Sequence, residues 1–377
     1  MSIKILFVID GLEFGGGERC FAQVISGLPE DQYEIYLASS ENRRLYDAID
    51  TGRVHLVPLD FSSKYNPALL TAISKVIKEK EIDIVHGQGA RAEFYSRIAS
   101  RHANASKYVS TIAMPVEGYD VGSLKRRWYG LFDRLSERRV DRFIVVSEIL
   151  KNLLIHQRGI PAEKVVRIYN GIETAIYDPE KLKNQREQIR SEFPLAEDII
   201  LIGAIGRLVW QKGFEYFLRC IPDVIRKFPG VRFLLVGDGE LRAPLEQLSR
   251  ELKIEKSLLF TGHRSDIQNI LAALDIVVIP SLLEGFPMIT LEAMAMKKPI
   301  VATMIDGITE QISDGIEGIL VPPKDPSALA SAITKLIEAP ALATSLGNAA
   351  RERVVKDFTV QQMIFETEQV YRSLCRN

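Results

Sequence analysis

The sequence predicts two doubly wound α/β domains, each a parallel sheet covered by helices. Three observations lead there. Short β-type runs alternate with helical segments along the chain, as in βαβ units. Many of those runs are continuously apolar, which fits strands buried on both faces. The alternation pauses once, in the polar stretch TAIYDPEKLKNQREQIRSEFPLAED that follows RIYNGIE (167–173). With 377 residues the chain has material for two cores.

In the first half the strands read IKILFVI (3–9), EIYLAS (34–39), VHLVPL (54–59), DIVHG (83–87), KYVSTI (107–112) and RFIVVS (142–147). In the second they read IILIGAIG (199–206), RFLLVGDG (232–239), SLLFTG (257–262), DIVVIPS (275–281), PIVAT (299–303) and GILVP (318–322). The pause sets the domains at 1–176 and 177–357. The amphipathic end of the chain, DFTVQQMIFETEQVYRSLCRN, is a helix with no strand after it.

Composition narrows the function. A net charge of −1 gives no global field for nucleic acid. Cys20, Cys220 and Cys375 are too dispersed for a disulfide framework or zinc cluster, and fit a reducing compartment. The opening MSIKILFVIDG reads as a first strand rather than a signal peptide. No apolar run reaches the roughly 18–20 residues of a membrane span. The expectation is a cytoplasmic protein.

In parallel sheets ligands bind beyond the C-terminal ends of the strands, so the loops there carry the candidates. Gly15, Gly16 and Gly17 precede a helix and let backbone N–H groups approach an anion, or form a plain flexible turn. His86 ends a strand, as a ligand contact or a satisfied structural histidine. Arg207 and Lys212 follow the strand ending at Gly206, where two cations near a helix start make a phosphate clamp. Gly237 lies in a Gly-x-Gly turn, a weak signal by itself. Arg264 follows another strand, as a site residue or a surface arginine.

The densest stretch is EGFPMITLEAM, Glu284 to Met294. Pro287 suits the first turn of a helix. Eight residues of helix from Glu284 to Glu292 would span about 12 Å, roughly the reach from a sugar to a ribose across a diphosphate. The helix start offers N–H groups to phosphate. Neither glutamate has histidine or aspartate neighbours in sequence, which argues against a metal site.

Together FGGGER, GRLVWQKGFEYFL, VGDGELR, FTGHR and PSLLEGFPMITLEAMAMKKPIVAT resemble the family 4 glycosyltransferases of the GT-B fold. The spacing of Glu284 and Glu292 is that family's signature. The resemblance implies two Rossmann-like domains with a cleft between them, and a C-terminal helix (about 358–377) crossing back to the first. The first domain would bind acceptor and the second the nucleotide-sugar. It implies transfer of a sugar from a nucleotide-sugar with retention of configuration, and neither cofactor nor metal. By position, Arg207 and Lys212 would neutralise the diphosphate. Glu284 would meet the donor sugar, with backbone of Gly285, Phe286, Pro287 and Met288 at its hydroxyls. Ile289 and Thr290 would take phosphate, and Glu292 the ribose. Gly16 would face the phosphates, Gly237 would line the donor site, and backbone near Arg264 would read the base. His86 falls on the acceptor or sugar side.

One departure stands out. The family often closes V-x-T-x-H with a sugar-contacting histidine, and this chain has Ala113 there. DGITEQI (306–312) also departs from Gly-Gly-x-Pro-Glu, keeping Gly307 and Glu310. The expected function is a retaining glycosyltransferase using a nucleotide-sugar, with UDP favoured, on a glycan or lipid-linked acceptor of the cell surface. A non-catalytic nucleotide-sugar-binding homologue is the alternative that Ala113 motivates. An NAD-type oxidoreductase is disfavoured because G-x-G-x-x-G is missing.

SLKRRWYGLFDRLSERRVDRF (123–143) carries seven Lys/Arg and three acids, with apolar residues at helical spacing. It reads as a packed helix with a basic outer face, or as one lying peripherally on an anionic membrane surface.

Overall fold

The computed structural model describes residues 2–12, 14–63, 66–103, 107–114, 137, 139–193 and 199–375. The chain divides into two compact units. One comprises Met1–Gly171 with Val360–Asn377, the other Ile172–Thr359.

The first unit holds a seven-stranded sheet in the order β3-β2-β1-β4-β5-β6-β7. Its strands are β1 (Ile3–Ile9), β2 (Tyr33–Ser39), β3 (Val54–Pro58), β4 (Ile84–Gln88), β5 (Lys107–Ile112), β6 (Arg142–Val145) and β7 (Val165–Arg167). The second holds a six-stranded sheet in the order β10-β9-β8-β11-β12-β13. These are β8 (Leu201–Ile205), β9 (Arg232–Val236), β10 (Leu258–Gly262), β11 (Ile276–Ile279), β12 (Ile300–Thr303) and β13 (Ile319–Val321). Pairing is parallel throughout both sheets.

The apolar runs are buried as their composition requires. Ile5 to Val8 in β1 and Leu201 and Ile202 in β8 are fully inaccessible. In the helix Phe214–Lys227 the buried residues Phe214, Phe217, Leu218, Ile221 and Val224 fall on one stripe. Both strand orders reverse direction beside the first strand, between β1 and β4 and between β8 and β11. Such a reversal opens a crevice at the C-terminal strand ends.

The final helix, Val360–Cys375, belongs to the first unit. Tyr371 is fully buried there, and its ring meets those of Phe7, Tyr33 and His86. Gly27 makes room for it, since a Cβ there would lie 2.1 Å from Ile364 Cδ1.

Two expectations need correction. The sequence reading passed over β7, whose three residues Val-Val-Arg are too few to show a pattern. Several strands are shorter than their apolar runs: the run 199–206 yields Leu201–Ile205, with Gly206 still bonded to Val236 O just beyond the strand's end. The stretch 123–143 lies outside the described residues except for 137 and 139–143. Of these, Glu137 is buried and paired with Arg158. Cys20 and Cys220 are buried free thiols and Cys375 is an exposed one. Among the described residues no helix is long and apolar enough to cross a membrane.

Candidate functional site

In the second unit the loops leaving adjacent strands are laced together by backbone hydrogen bonds. Gly206 N–H donates to Val236 O, Leu208 N–H to Asp238 O, and Gly237 N–H to Gly262 O. The loop after β11 joins them through Leu282 N–H to Gln211 O at 2.7 Å. Close approach requires glycine at Gly237, where a Cβ would stand 1.9 Å from Gly206 O.

This lacing holds Lys212 at the end of the short 3₁₀ turn Trp210–Lys212. Its Nζ donates to Glu284 Oε1 at 2.7 Å. Ser281 Oγ donates to the same oxygen at 2.7 Å. Ser281 is itself fixed by Thr303 Oγ1, which donates to Ser281 O at 2.5 Å. Glu284 is therefore a buried carboxylate with a cation and a hydroxyl on one oxygen. Arg207 stands exposed just after β8.

The helix Met288–Ala295 follows directly. Its N-cap is Pro287, extended at φ −70° and ψ 127°, and no side chain caps it. Amide groups of an uncapped first turn are open to an anion. The Pro287 carbonyl is tied down by Gln311 Nε2 at 3.0 Å. The Thr290 hydroxyl is fully buried and has no partner among the described residues. Phe286 packs edge-on against Phe358, with centroids 5.4 Å apart.

The helix starts later than the sequence reading placed it. Pro287 is the cap rather than a first-turn residue, because an extended ψ is what lets Gly285 and Phe286 turn into the helix. Only Met288 to Glu292 of the interval between the two glutamates is helical. The helical rise between them is thus about 6 Å rather than about 12 Å, and the loop supplies the rest. Glu292 lies over a turn into the helix, buried, and accepts a hydrogen bond from Tyr177 OH at 2.9 Å. Tyr177 is held by Arg351, whose Nη1 donates at 2.7 Å to both Tyr177 O and Ala295 O. That guanidinium thus also meets the C-terminal end of the helix, the favourable end for a cation.

The Arg264 side chain is committed to carboxylates. It grips Asp266 through two hydrogen bonds of 2.8 Å and Glu192 through one of 2.6 Å. These bonds push its pKa up from the ordinary arginine value. Its backbone remains at the end of β10, beside Gly262 and Gly237.

Gly16 and His86 belong to the first unit. Gly16 begins the helix Gly16–Gly27, and Glu18 reaches back to Gly15 N–H at 2.9 Å. His86 is buried within β4 and has both ring nitrogens engaged. Nδ1 lies 2.5 Å from Tyr371 OH and Nε2 lies 2.7 Å from Thr111 Oγ1. Burial lowers its pKa to about 3, so the ring is neutral at physiological pH.

The second unit therefore brings Lys212, Glu284, Ser281 and the helix carrying Glu292 into one laced set of loops. Ser281 and Tyr177 escaped the sequence reading. Ser281 ends the apolar run of β11, which was the available signal. Tyr177 lies 115 positions from its partner Glu292 and gave none. Among the described residues there is no group of three or more His, Cys, Asp or Glu that could hold a metal ion.

Comparison with known proteins matches the sequence to a family. The model for glycosyltransferase family 4 matches residues 14–176, and that for glycosyl transferases group 1 matches residues 199–339. A UDP-Gal:alpha-D-GlcNAc-diphosphoundecaprenol alpha-1,3-galactosyltransferase of Escherichia coli is 27% identical, over 100% of this chain and 98% of that protein. An N-acetyl-alpha-D-glucosaminyl L-malate synthase of Bacillus anthracis is 24% identical, over 83% of this chain and 80% of that one. The crystal structure of HepE from Anabaena in complex with UDP-glucose superposes with a TM-score of 0.84 at 23% identity, covering 99% of this chain and 100% of that one.

Proposed function

The chain belongs to the family 4 glycosyltransferases with the GT-B fold, and from that premise we propose that it transfers a sugar from a UDP-sugar to a lipid-linked or glycan acceptor in cell-surface synthesis, with retention of configuration. The observation that carries the reading is the Lys212–Glu284–Ser281 cluster beside the uncapped start of the helix holding Glu292.

Transfer breaks the bond between the anomeric carbon and the diphosphate, so negative charge grows on the leaving oxygen. Lys212, Arg207 and the helix start would stabilise that charge, each effect larger in a water-poor site than in bulk. Lys212 would share its ammonium between Glu284 and the diphosphate. Glu284 would hold hydroxyls of the donor sugar, and Glu292, steadied by Tyr177, those of the ribose. The catalytic roles fall to Arg207, Lys212 and Glu284, with neither cofactor nor metal. UDP as the base-bearing half is supported by the UDP-glucose complex of HepE and the UDP-Gal donor of the Escherichia coli relative. That relative's diphosphoundecaprenol acceptor supports a lipid-linked acceptor and work at the cytoplasmic membrane surface.

Ala113 favours a second reading, a homologue that binds the donor without transferring it. One experiment addresses both. The chain is titrated with UDP-glucose, UDP-galactose and UDP-N-acetylglucosamine, each with and without GlcNAc-diphosphoundecaprenol as acceptor, following thermal stabilisation and acceptor-dependent UDP release. Transfer predicts stabilisation and UDP release, with release abolished in Arg207→Ala and Lys212→Ala. Wild-type release rates in both variants would overturn the assignment, and stabilisation without release would favour the second reading.

A further inference from the structure

The turn between Glu284 and the helix Met288–Ala295 is braced residue by residue from within the second unit. A Cβ on Gly307 would stand 2.4 Å from Gly285 O, so the loop carrying Gly307 lies directly on that carbonyl. Phe286 packs on Phe358. Pro287 O accepts a hydrogen bond of 3.0 Å from Gln311 Nε2. The loop that delivers Gln311 is itself held on both sides by one guanidinium. Arg353 Nη2 donates to Glu310 O at 2.9 Å, and Nη1 donates to Ser313 Oγ at 3.0 Å.

Gln311 is fully buried, yet its Oε1 has no hydrogen-bond partner among the described residues. The same holds for the Thr290 hydroxyl, in the first turn of the helix. Buried polar atoms are nearly always paired. A carboxamide that makes one neutral bond and leaves its oxygen desolvated gains little for the fold, because the two effects offset each other. A methionine of similar length would avoid the unpaired oxygen. Stability therefore does not account for glutamine at this position, but geometry does. A peptide unit is planar and trans, so its C=O and the following N–H point in opposite directions. Pinning Pro287 O fixes the plane that carries Met288 N–H, and with it the direction in which the first turn presents its amides.

We infer that Gln311 is a positioning residue, which aims the first-turn amides of the helix Met288–Ala295 at a diphosphate by holding Pro287 O. It acts through the backbone of Pro287 rather than on the ligand. The inference rests on the glycosyltransferase reading for the identity of the anion.

The test replaces Gln311 in the whole chain by residues that fill its space without hydrogen bonds, Gln311→Met and Gln311→Leu. Calorimetry measures UDP affinity, and thermal unfolding without nucleotide measures the fold. The expected result is UDP binding about tenfold weaker in both variants, with a melting temperature equal to or above that of wild type. A merely structural glutamine would do the reverse, lowering the melting temperature and leaving the affinity of the folded chain alone. Wild-type UDP affinity in both variants overturns the inference. So does a lower melting temperature in both, or failure of both to fold, since the unliganded fold would then need the amide. A wild-type chain that binds no UDP is a separate result: it overturns the function reading, and this inference falls with it.

Discussion

Lys212 and Glu284 lie 72 positions apart in the chain and 2.7 Å apart in the fold. The pair is asymmetric, since the Lys212 side chain is 23% exposed and that of Glu284 5%. The buried carboxylate is anchored by Ser281, while the more accessible ammonium can turn toward a second anion. Lys212→Ala is expected to lower turnover about 100- to 1,000-fold, the usual loss for one stabilising donor. It also leaves Glu284 with Ser281 alone, costing about 1–3 kcal/mol of stability. Steady-state kinetics and thermal unfolding measure the two effects separately.

Tyr177→Phe removes the hydroxyl that steadies Glu292 and nothing else of size. If Glu292 holds the ribose as proposed, the donor KM should rise about three- to tenfold with kcat nearly unchanged, because such a grip would be the same in ground and transition states. A fall in kcat at constant KM would contradict this role for Glu292.

Gly307 and Gly315 make a matched pair for testing the loop of Glu284. Both have positive φ, +80° and +74°. A Cβ on Gly307 would stand 2.4 Å from Gly285 O, whereas one on Gly315 meets nothing within 4 Å. Gly315→Ala should cost about 1 kcal/mol in backbone strain and leave activity intact. Gly307→Ala should cost more and also reduce turnover, since it pushes on the loop carrying Glu284. Equal activity in the two variants would show that the loop tolerates displacement.

His86 predicts a pH dependence. Its folded pKa, about 3, lies below the ordinary 6.5 because burial disfavours the charged ring. The unfolded chain therefore binds the proton first. This contribution to stability is complete above about pH 6.5 and is lost as the pH falls toward 3, by up to about 1.4 kcal/mol per pH unit. Denaturant unfolding of wild type and His86→Gln between pH 7 and 4 should show the slope shallower in the variant. Parallel slopes would mean that His86 does not carry it.

Much of the fold was legible because parallel strands buried on both faces announce themselves as apolar runs. The placement of the candidate site residues was legible: Arg207, Lys212 and Glu284 follow strands, and Glu292 sits in the helix that a strand feeds. What could not be read was who meets whom. The Lys212–Glu284 contact depends on β8 and β11 being neighbours, which follows from the sheet order and not from local sequence. The Tyr177–Glu292 bond depends on Arg351, from a third part of the chain. The start of the helix at Met288 was misplaced because proline is equally at home as the extended residue before a helix and as its first member.

The helix Val360–Cys375 has a consequence for the order of assembly. Tyr371 fills a space against Phe7 and His86 that the first 171 residues cannot close by themselves. On the ribosome the second unit emerges whole before those last 16 residues do. A nascent chain that has exposed residues only as far as 359 would thus carry all of the second unit and an unfinished first one. The unit begun earlier is the last to be completed, and until this helix docks it depends on whatever shields its open apolar seam.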